Sequence, residues 1–400
     1  MQFDQHRRKL LHHGLALPLL LGAGPAACVA NDAAASLPEG DAYEPWRSWS
    51  AEQTGSRGLV HAAVLAANAH DTQPWIFCLD GDRLSLFADE RRNLGAMDPF
   101  RREMHLSLGC ALENLLLAAR AQGLAPALAV EGGTLVEPKG NPMPRLAARV
   151  HLPPGRPEAS PRLAALALRH TDRAAYNPEH AVSGETVAAL AALSEPNSSA
   201  RVVFLTDPSA RRDFAAATVD ATTRLIADPV MIGDSDAWFR ATTAEIAAHR
   251  DGPTIDAAGL SPWMTTLAKI LPAPSPERAH AIWLDRTRDV QLATAPLFGM
   301  IVVRDLYDRE QAIRAGMLWQ RLHLQATVLG LAAQPINQLP EMVDRERQLG
   351  KAPQTTRQLA ALAGGSDWHP TFTFRMGWPT RRAPASPRRA LDDVIRRSAC

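Results

Sequence analysis

The 400-residue sequence carries almost no net charge, with 43 Lys and Arg against 42 Asp and Glu. A basic face for nucleic acid or for an anionic surface is therefore not expected, and small-molecule chemistry becomes the default. Cysteine is scarce, at positions 28, 78, 110 and 400, with no paired spacing of the kind that holds a metal. Cys78 and Cys110 read most simply as buried apolar side chains, and nothing in the sequence supports a bridge between them. The 13 histidines are scattered, so no metal site is expected either. Also missing are a Gly-x-x-x-x-Gly-Lys phosphate loop, a His-Glu-x-x-His helix and a Gly-x-Ser-x-Gly elbow, which removes three common chemistries.

What is present is the composition of a folded protein: 46% hydrophobic and 21% charged residues over a length that allows two or three lobes with sizeable cores. The first 30 residues read as a targeting segment. Arg7-Arg8 precedes a short apolar core from Gly14 to Gly24 and then small residues through Ala30, the layout of a twin-arginine export signal. That apolar core is too short and too interrupted by Gly and Pro to span a bilayer. Cleavage after Ala30 and lipidation at Cys28 are both open. Export through the twin-arginine machinery would place the chain in the periplasm, with no transmembrane segment in the mature protein, and would favour a product folded around a cofactor. Residues 31–57, rich in Ala, Pro, Ser and acidic residues, read as a linker or wrapping arm.

Two helices further along can be overlaid without a gap. Gly109, Leu115, Leu117, Ala119, Gly123 and Leu124 each recur 207 positions later, as Gly316, Leu322, Leu324, Ala326, Gly330 and Leu331. Such self-similarity is the mark of an internal duplication. Around the first copy lie a short helix from Gly58 to Ala67, a hairpin with strands Ile76–Leu79 and Leu84–Phe87 about Asp80-Gly81, and strand candidates Ala127–Glu131 and Leu146–Leu152. Asp98-Pro99 opens the repeated helix as N-cap and first residue. Pro153-Pro154-Gly155 ends a first lobe, 58–155.

The second lobe, 156–400, begins with a helix carrying Leu163 to Arg173 and continues through a helix from Gly184 to Leu193 and a strand from Val202 to Leu205. Strands at Met300–Val303 and Thr371–Met376 flank the repeated helix, and Arg388-Arg389 lies in the tail. A helical stretch of about 215–296, broken at Gly252-Pro253 and at Pro272 to Pro276, exceeds what a connection needs; it is either a lid over a site or a structural insertion. The expected class is α+β, with two related lobes, each a mixed or antiparallel sheet packed by helices.

Two segments carry chemistry. One is Ala67-Asn68-Ala69-His70-Asp71-Thr72-Gln73-Pro74-Trp75, and the other is Arg169-His170-Thr171-Asp172-Arg173. Together they resemble the flavin site of the FMN-binding nitroreductase superfamily, in its two-lobed, Acg-like branch. In that family an Arg-x-Ser/Thr-x-Arg/Lys segment of one subunit holds the flavin phosphate, and an Asn-x-Gln-Pro-Trp segment comes from the other subunit. The resemblance covers roughly Gly58 to Ile395 and implies a fused pseudo-dimer with one surviving site. The complementary pair is missing, because Ser198-Ser199-Ala200-Arg201 replaces the Gln-Pro-Trp turn and no Arg-x-Ser-x-Arg precedes Gly58. A monomeric pseudo-dimer or a weak homo-oligomer follows.

The resemblance assigns FMN phosphate to Arg169, Thr171 and Arg173, which at i and i+4 on a helical turn would face one side, with Arg388 or Arg389 as a further basic contact. It assigns ribityl and ring contacts to Asn68, Asp71 and Gln73, with Pro74 holding the residue before it extended so as to aim them. Asp71 departs from the family's Asn: an ionised carboxylate accepts only and would repel negative charge on reduced flavin. Asn337 and Gln338 are candidates to approach flavin N5 through backbone N–H groups. No catalytic side chain is required, since flavin carries the chemistry.

Two functions remain. One is an exported FMN oxidoreductase of nitroreductase type, passing electrons to an electron-poor small molecule such as a nitroarene or quinone from an unidentified donor, as NAD(P)H is scarce outside the cytoplasm. The other is a flavin-binding or flavin-sequestering protein whose insert occludes the substrate face.

Overall fold

The computed structural model describes residues 37–136, 144–365 and 367–396. The twin-arginine segment, Cys28, Cys400 and the proposed cleavage point lie outside these residues. No helix among them is long and apolar enough to cross a membrane.

The strands run β1 Trp75–Asp80, β2 Arg83–Ala88, β3 Ala127–Val130, β4 Arg145–His151, β5 Ala200–Leu205, β6 Leu297–Val303, β7 Ala332–Pro335, β8 His369–Gly377 and β9 Ile395–Arg396. They form two sheets, ordered β3-β4-β2-β1-β9 and β7-β8-β6-β5. Set aside β9, which joins β1 in parallel, and both sheets are antiparallel with one order: third, fourth, second, first. Even the bulge recurs, between Leu86 and Phe87 where β2 meets β4, and between Ile301 and Val302 where β6 meets β8. The chain is α+β, two sheets packed by helices.

The duplicated helices, Arg102–Ala121 and Arg309–Val328, cross at the centre of the core. At Gly109 and Gly316 their backbones come into direct contact: a Cβ on Gly109 would overlap the Ile313 carbonyl, and one on Gly316 would overlap the Leu106 carbonyl. The polar pairs beside the crossing are reciprocal too. Glu113 accepts from Arg321 at 2.8 Å, and Asn114 accepts from Gln320 at 2.8 Å, with 113 and 320, and 114 and 321, equivalent at the 207-residue spacing. Phe100 and Tyr307, another equivalent pair, meet edge to face with ring centroids 5.1 Å apart. Position a of one half meets position b of the other and the reverse, as in a two-fold interface.

The lobes differ most where β1 turns into β2. In the first, Gly81 and Asp82 close a two-residue hairpin; in the second, residues 206–296 intervene between β5 and β6. This insert folds as helices Pro208–Ile226, Pro229–Asp236, Thr243–His249, Pro262–Ile270 and Pro276–Arg286, with helix starts capped by Asp207, Asp228, Thr242 and Ser275. It begins nine residues earlier than expected.

Three local expectations are corrected. The helix drawn from Leu163 to Arg173 stops near Ala167, and Thr171 pairs in a β-bridge with Ala333. Arg169 and Arg173 therefore share no helical face. Asp98 caps the first repeated helix, but from a distance: the helix begins at Arg102, and the Asp98 carboxylate accepts from the N–H groups of Glu103 and Met104 at 3.1 and 2.9 Å. Cys78 is disulfide-bonded and Cys110 is a buried free thiol, so Cys78 is more than an apolar side chain and the two are not joined to each other.

Candidate functional site

The segment Asn68–Gln73 is a strained turn at the end of helix Gly55–Val64. His70, Asp71 and Gln73 all have positive φ, at 46°, 51° and 49°. For residues other than glycine each such conformation costs on the order of 1–3 kcal/mol and persists only where surroundings impose it. The surroundings are explicit. The Asn68 side chain accepts from Gln73 N–H at 2.8 Å, Ala69 N–H donates to Ser107 at 3.0 Å, and Ala67 N–H donates to Gln320 at 3.1 Å, tying the turn to both central helices. Gln73 is fully buried: its amide donates to Arg250 C=O at 2.9 Å and accepts from Arg389 N–H at 2.8 Å. Pro74 does not hold Gln73 extended, because these bonds keep it left-handed.

Above the turn, two guanidinium groups sit side by side. Arg169 donates to Leu65 C=O and Arg388 to Ala66 C=O, each at 3.1 Å, and these are consecutive carbonyls beyond the helix end. Arg388 also pairs with Asp71 at 2.6 Å, whereas Arg169 has a histidine neighbour, His323, at 3.4 Å. Both arginines are buried, and each keeps an Nε–H without a partner. Burial, and secondly Arg388, push the Arg169 pKa down to about 9. Burial likewise holds His170 and His323 well below their usual range, so neither adds charge. Asp71 is pushed up to about 6 by burial, which outweighs the Arg388 cation, and its second oxygen is unpartnered. The cluster thus holds two cations, each with an open Nε–H, and one carboxylate, Asp71, with an unpartnered oxygen. The two open N–H groups, each on a cation, can donate to an anion; the Asp71 oxygen cannot.

The remaining sequence candidates fall in two places. Arg173, also shifted down by burial, donates to Ala257 C=O of the insert at 3.2 Å, and Thr171 stands beside it on the bridge to Ala333. Of the tail pair, Arg388 faces the cluster, while Arg389 braces the turn by donating to Gln73 C=O at 3.2 Å. Asn337 and Gln338 open helix Gln338–Gln348, whose first-turn N–H groups lack intrahelical acceptors. The Asn337 side chain is engaged elsewhere, donating to Glu103 and accepting from Thr373 N–H at 3.1 Å. Glu103 and Ser107 lie one turn apart on the first central helix, so that helix carries both the Asn68–Gln73 turn and the Asn337 loop.

Sequence reasoning missed three contributors. The first is the arm: Tyr43 and Trp46 are buried over the cluster, with Arg388 4.8 Å from the Trp46 ring. The second is the insert segment from Arg250 to Gly259, which bonds Asp71, Gln73 and Arg173 through backbone groups and so leaves no side-chain signature. The third is a buried acidic network of Asp98, Glu103, Glu341 and Asp344 around Arg102, with the Arg102–Asp344 pair at 2.8 Å. Burial raises Glu341 to about 8 and Glu103 well above the carboxylate range, the acidic neighbours adding to it. The spacing of these acids along the chain gives no hint that they meet.

No family model matches the chain. Two curated proteins of Mycobacterium tuberculosis do match over most of their lengths. "Putative NAD(P)H nitroreductase Rv3131" is 27% identical over 352 residues, covering 85% of this chain and 90% of that protein. "Putative NAD(P)H nitroreductase acg" is 24% identical over 349 residues, covering 85% and 94%. The chain is thus similar to these two nitroreductases over most of its length. Among solved structures, the FMN- and NADPH-dependent nitroreductase NfnB from sphigopyxis sp. strain HMH aligns over 60% of this chain and 99% of its own, with 19% identity and a TM-score of 0.37. In this chain the arginine pair and the strained turn lie in the segments that carried the resemblance in sequence.

Proposed function

We propose that the protein is an FMN-dependent oxidoreductase of nitroreductase type, exported to the periplasm, that delivers electrons to an electron-poor small molecule of the nitroarene or quinone class. The observation that carries this reading is the buried Arg169–Arg388 pair with two unpartnered Nε–H groups and only one carboxylate, Asp71, between them. That donor set fits a phosphate dianion. Arg169 and Arg388 would hold the phosphate, with Arg173 and Thr171 on the adjoining strand-like segment, and Asp71 would lie toward the ribityl chain. FMN supplies the two-electron redox chemistry when bound. The protein's part is to orient it, exclude water and keep the arginines cationic. The test is a visible spectrum and acid-released flavin from protein purified after cytoplasmic folding: about one FMN per chain is expected for the fused pseudo-dimer, and none after FMN addition removes the reading.

A second reading, flavin sequestration, is favoured by one observation. The insert is bonded directly to the candidate site: Gly252 N–H donates to Asp71 C=O at 3.3 Å, and Gly259 packs so closely on the Arg173 backbone that a Cβ there would overlap it. Chemically reduced, flavin-loaded protein mixed with a quinone separates the two. Prompt reoxidation supports turnover; reoxidation only after the insert is loosened supports sequestration.

A further inference from the structure

Resting on the FMN reading, we propose that Trp46 is the positioning residue that holds Arg388 for the ligand's phosphate, so that the N-terminal arm makes the site selective for phosphorylated flavin. Trp46, in the helical turn Glu44–Arg47, is 3% exposed. Its indole N–H donates to Ser386 C=O at 2.8 Å, two residues before Arg388. Its ring lies 4.8 Å from the Arg388 guanidinium and meets the His170 ring edge to face at 4.6 Å. The arm backbone completes the hold, since Arg388 N–H donates to Ala42 C=O at 2.6 Å.

The chemistry of these partners matters. A guanidinium held by carboxylates is neutralised and has little left to offer an incoming anion. Carbonyl oxygens and an aromatic face fix a cation without cancelling its charge. Arg388 has one carboxylate partner, Asp71, which offsets part of its charge; its other partners are the Ala66 and Pro387 carbonyls, the Ser386 hydroxyl and the Trp46 face, and its Nε–H stays open. Trp46 also wedges His170, the neighbour of Arg169, in place. One side chain thus orders both ends of the arginine pair. The arm is in turn fastened to the insert, where Asp41 pairs with Arg250 at 3.4 Å.

The prediction is specific to phosphate, which a merely structural Trp would not be. Flavin-stripped full-length protein is titrated with FMN and with riboflavin, following quenching of flavin fluorescence. Trp46→Leu, which keeps apolar bulk but loses the π face and the N–H, is expected to weaken FMN about tenfold while leaving riboflavin unchanged. Trp46→Phe, which keeps a π face, should stay within about threefold of wild type. Equal FMN affinity in the Leu and Phe variants, or parallel loss of FMN and riboflavin, overturns the role of Trp46. Failure of the wild-type chain itself to bind FMN would instead bring down the FMN reading, so the wild-type and variant titrations report on different claims.

Discussion

Gly109 and Gly316 lie in mirrored contacts across the core, each facing the helix backbone one turn before the other: Gly109 on Ile313, Gly316 on Leu106. Neither position has room for a single methyl group. Gly109→Ala and Gly316→Ala should each force the helices apart and cost about 1–3 kcal/mol, the range for overpacking a close-packed core, despite alanine's better helix propensity. Denaturant unfolding checks this. Gly184→Ala, at an open helix start with nothing near its Cβ, is the control and should stay within about 0.5 kcal/mol.

That crossing was legible in the chain because a two-fold contact imposes the same demand twice, so Gly109 and Gly316 return at one spacing with their Leu and Ala neighbours. Strands were legible where apolar runs met turn residues, as at β1, β2 and β8. The helix end at Ala167 was not. Leu163 to Arg173 has a helical composition, and what ends the helix is tertiary pairing of Thr171 with Ala333. Trp46 and the Arg250–Gly259 segment were equally hidden, since their contacts to the arginine pair and the turn run through ring faces and main-chain atoms. Neither leaves a residue pattern to read.

The two arginines predict opposite effects on the flavin-free protein. Arg388 neutralises a buried carboxylate, so Arg388→Met leaves Asp71 unpaired and should destabilise the fold, more so as the pH rises and Asp71 has to give up its proton. Arg169 has no carboxylate partner, and burial already disfavours its charge. Arg169→Met should therefore leave stability unchanged or raise it by about 1–3 kcal/mol. Both variants should lose FMN. Thermal unfolding with and without FMN shows this crossing; equal destabilisation by the two would mean that Arg169 is a structural cation.

Gly259 bears on whether the insert gates the site. It sits at φ +77° against the Arg173 backbone, so Gly259→Ala must both strain the turn and push the insert outward. Faster limited proteolysis within residues 206–296 and faster reoxidation of reduced flavin by a quinone are the expected outcomes for a gating insert. Unchanged reoxidation, with proteolysis increased, would show that the insert covers no route to the flavin.

Asp71 makes the site sensitive to pH, with a definite sign. Its folded pKa of about 6 lies above its ordinary 3.8, so folding favours the protonated acid. The stability it contributes is fully present below about pH 4 and is lost as pH rises through 6, a fall of about 3 kcal/mol relative to Asp71→Asn across that window. A bound phosphate would act in the same direction, because a second negative charge beside Asp71 raises its pKa further. FMN binding should then take up a proton at neutral pH, and affinity should decline between about pH 6.5 and 8, where the phosphate itself has already become dianionic. Asp71→Asn, which cannot ionise and keeps the shape, should flatten that decline and bind FMN more tightly at pH 8 than wild type does. Titrations at several pH values decide it: a wild-type affinity independent of pH over this range, or the same slope in Asp71→Asn, would place the phosphate away from Asp71 and away from the Arg388 end of the arginine pair.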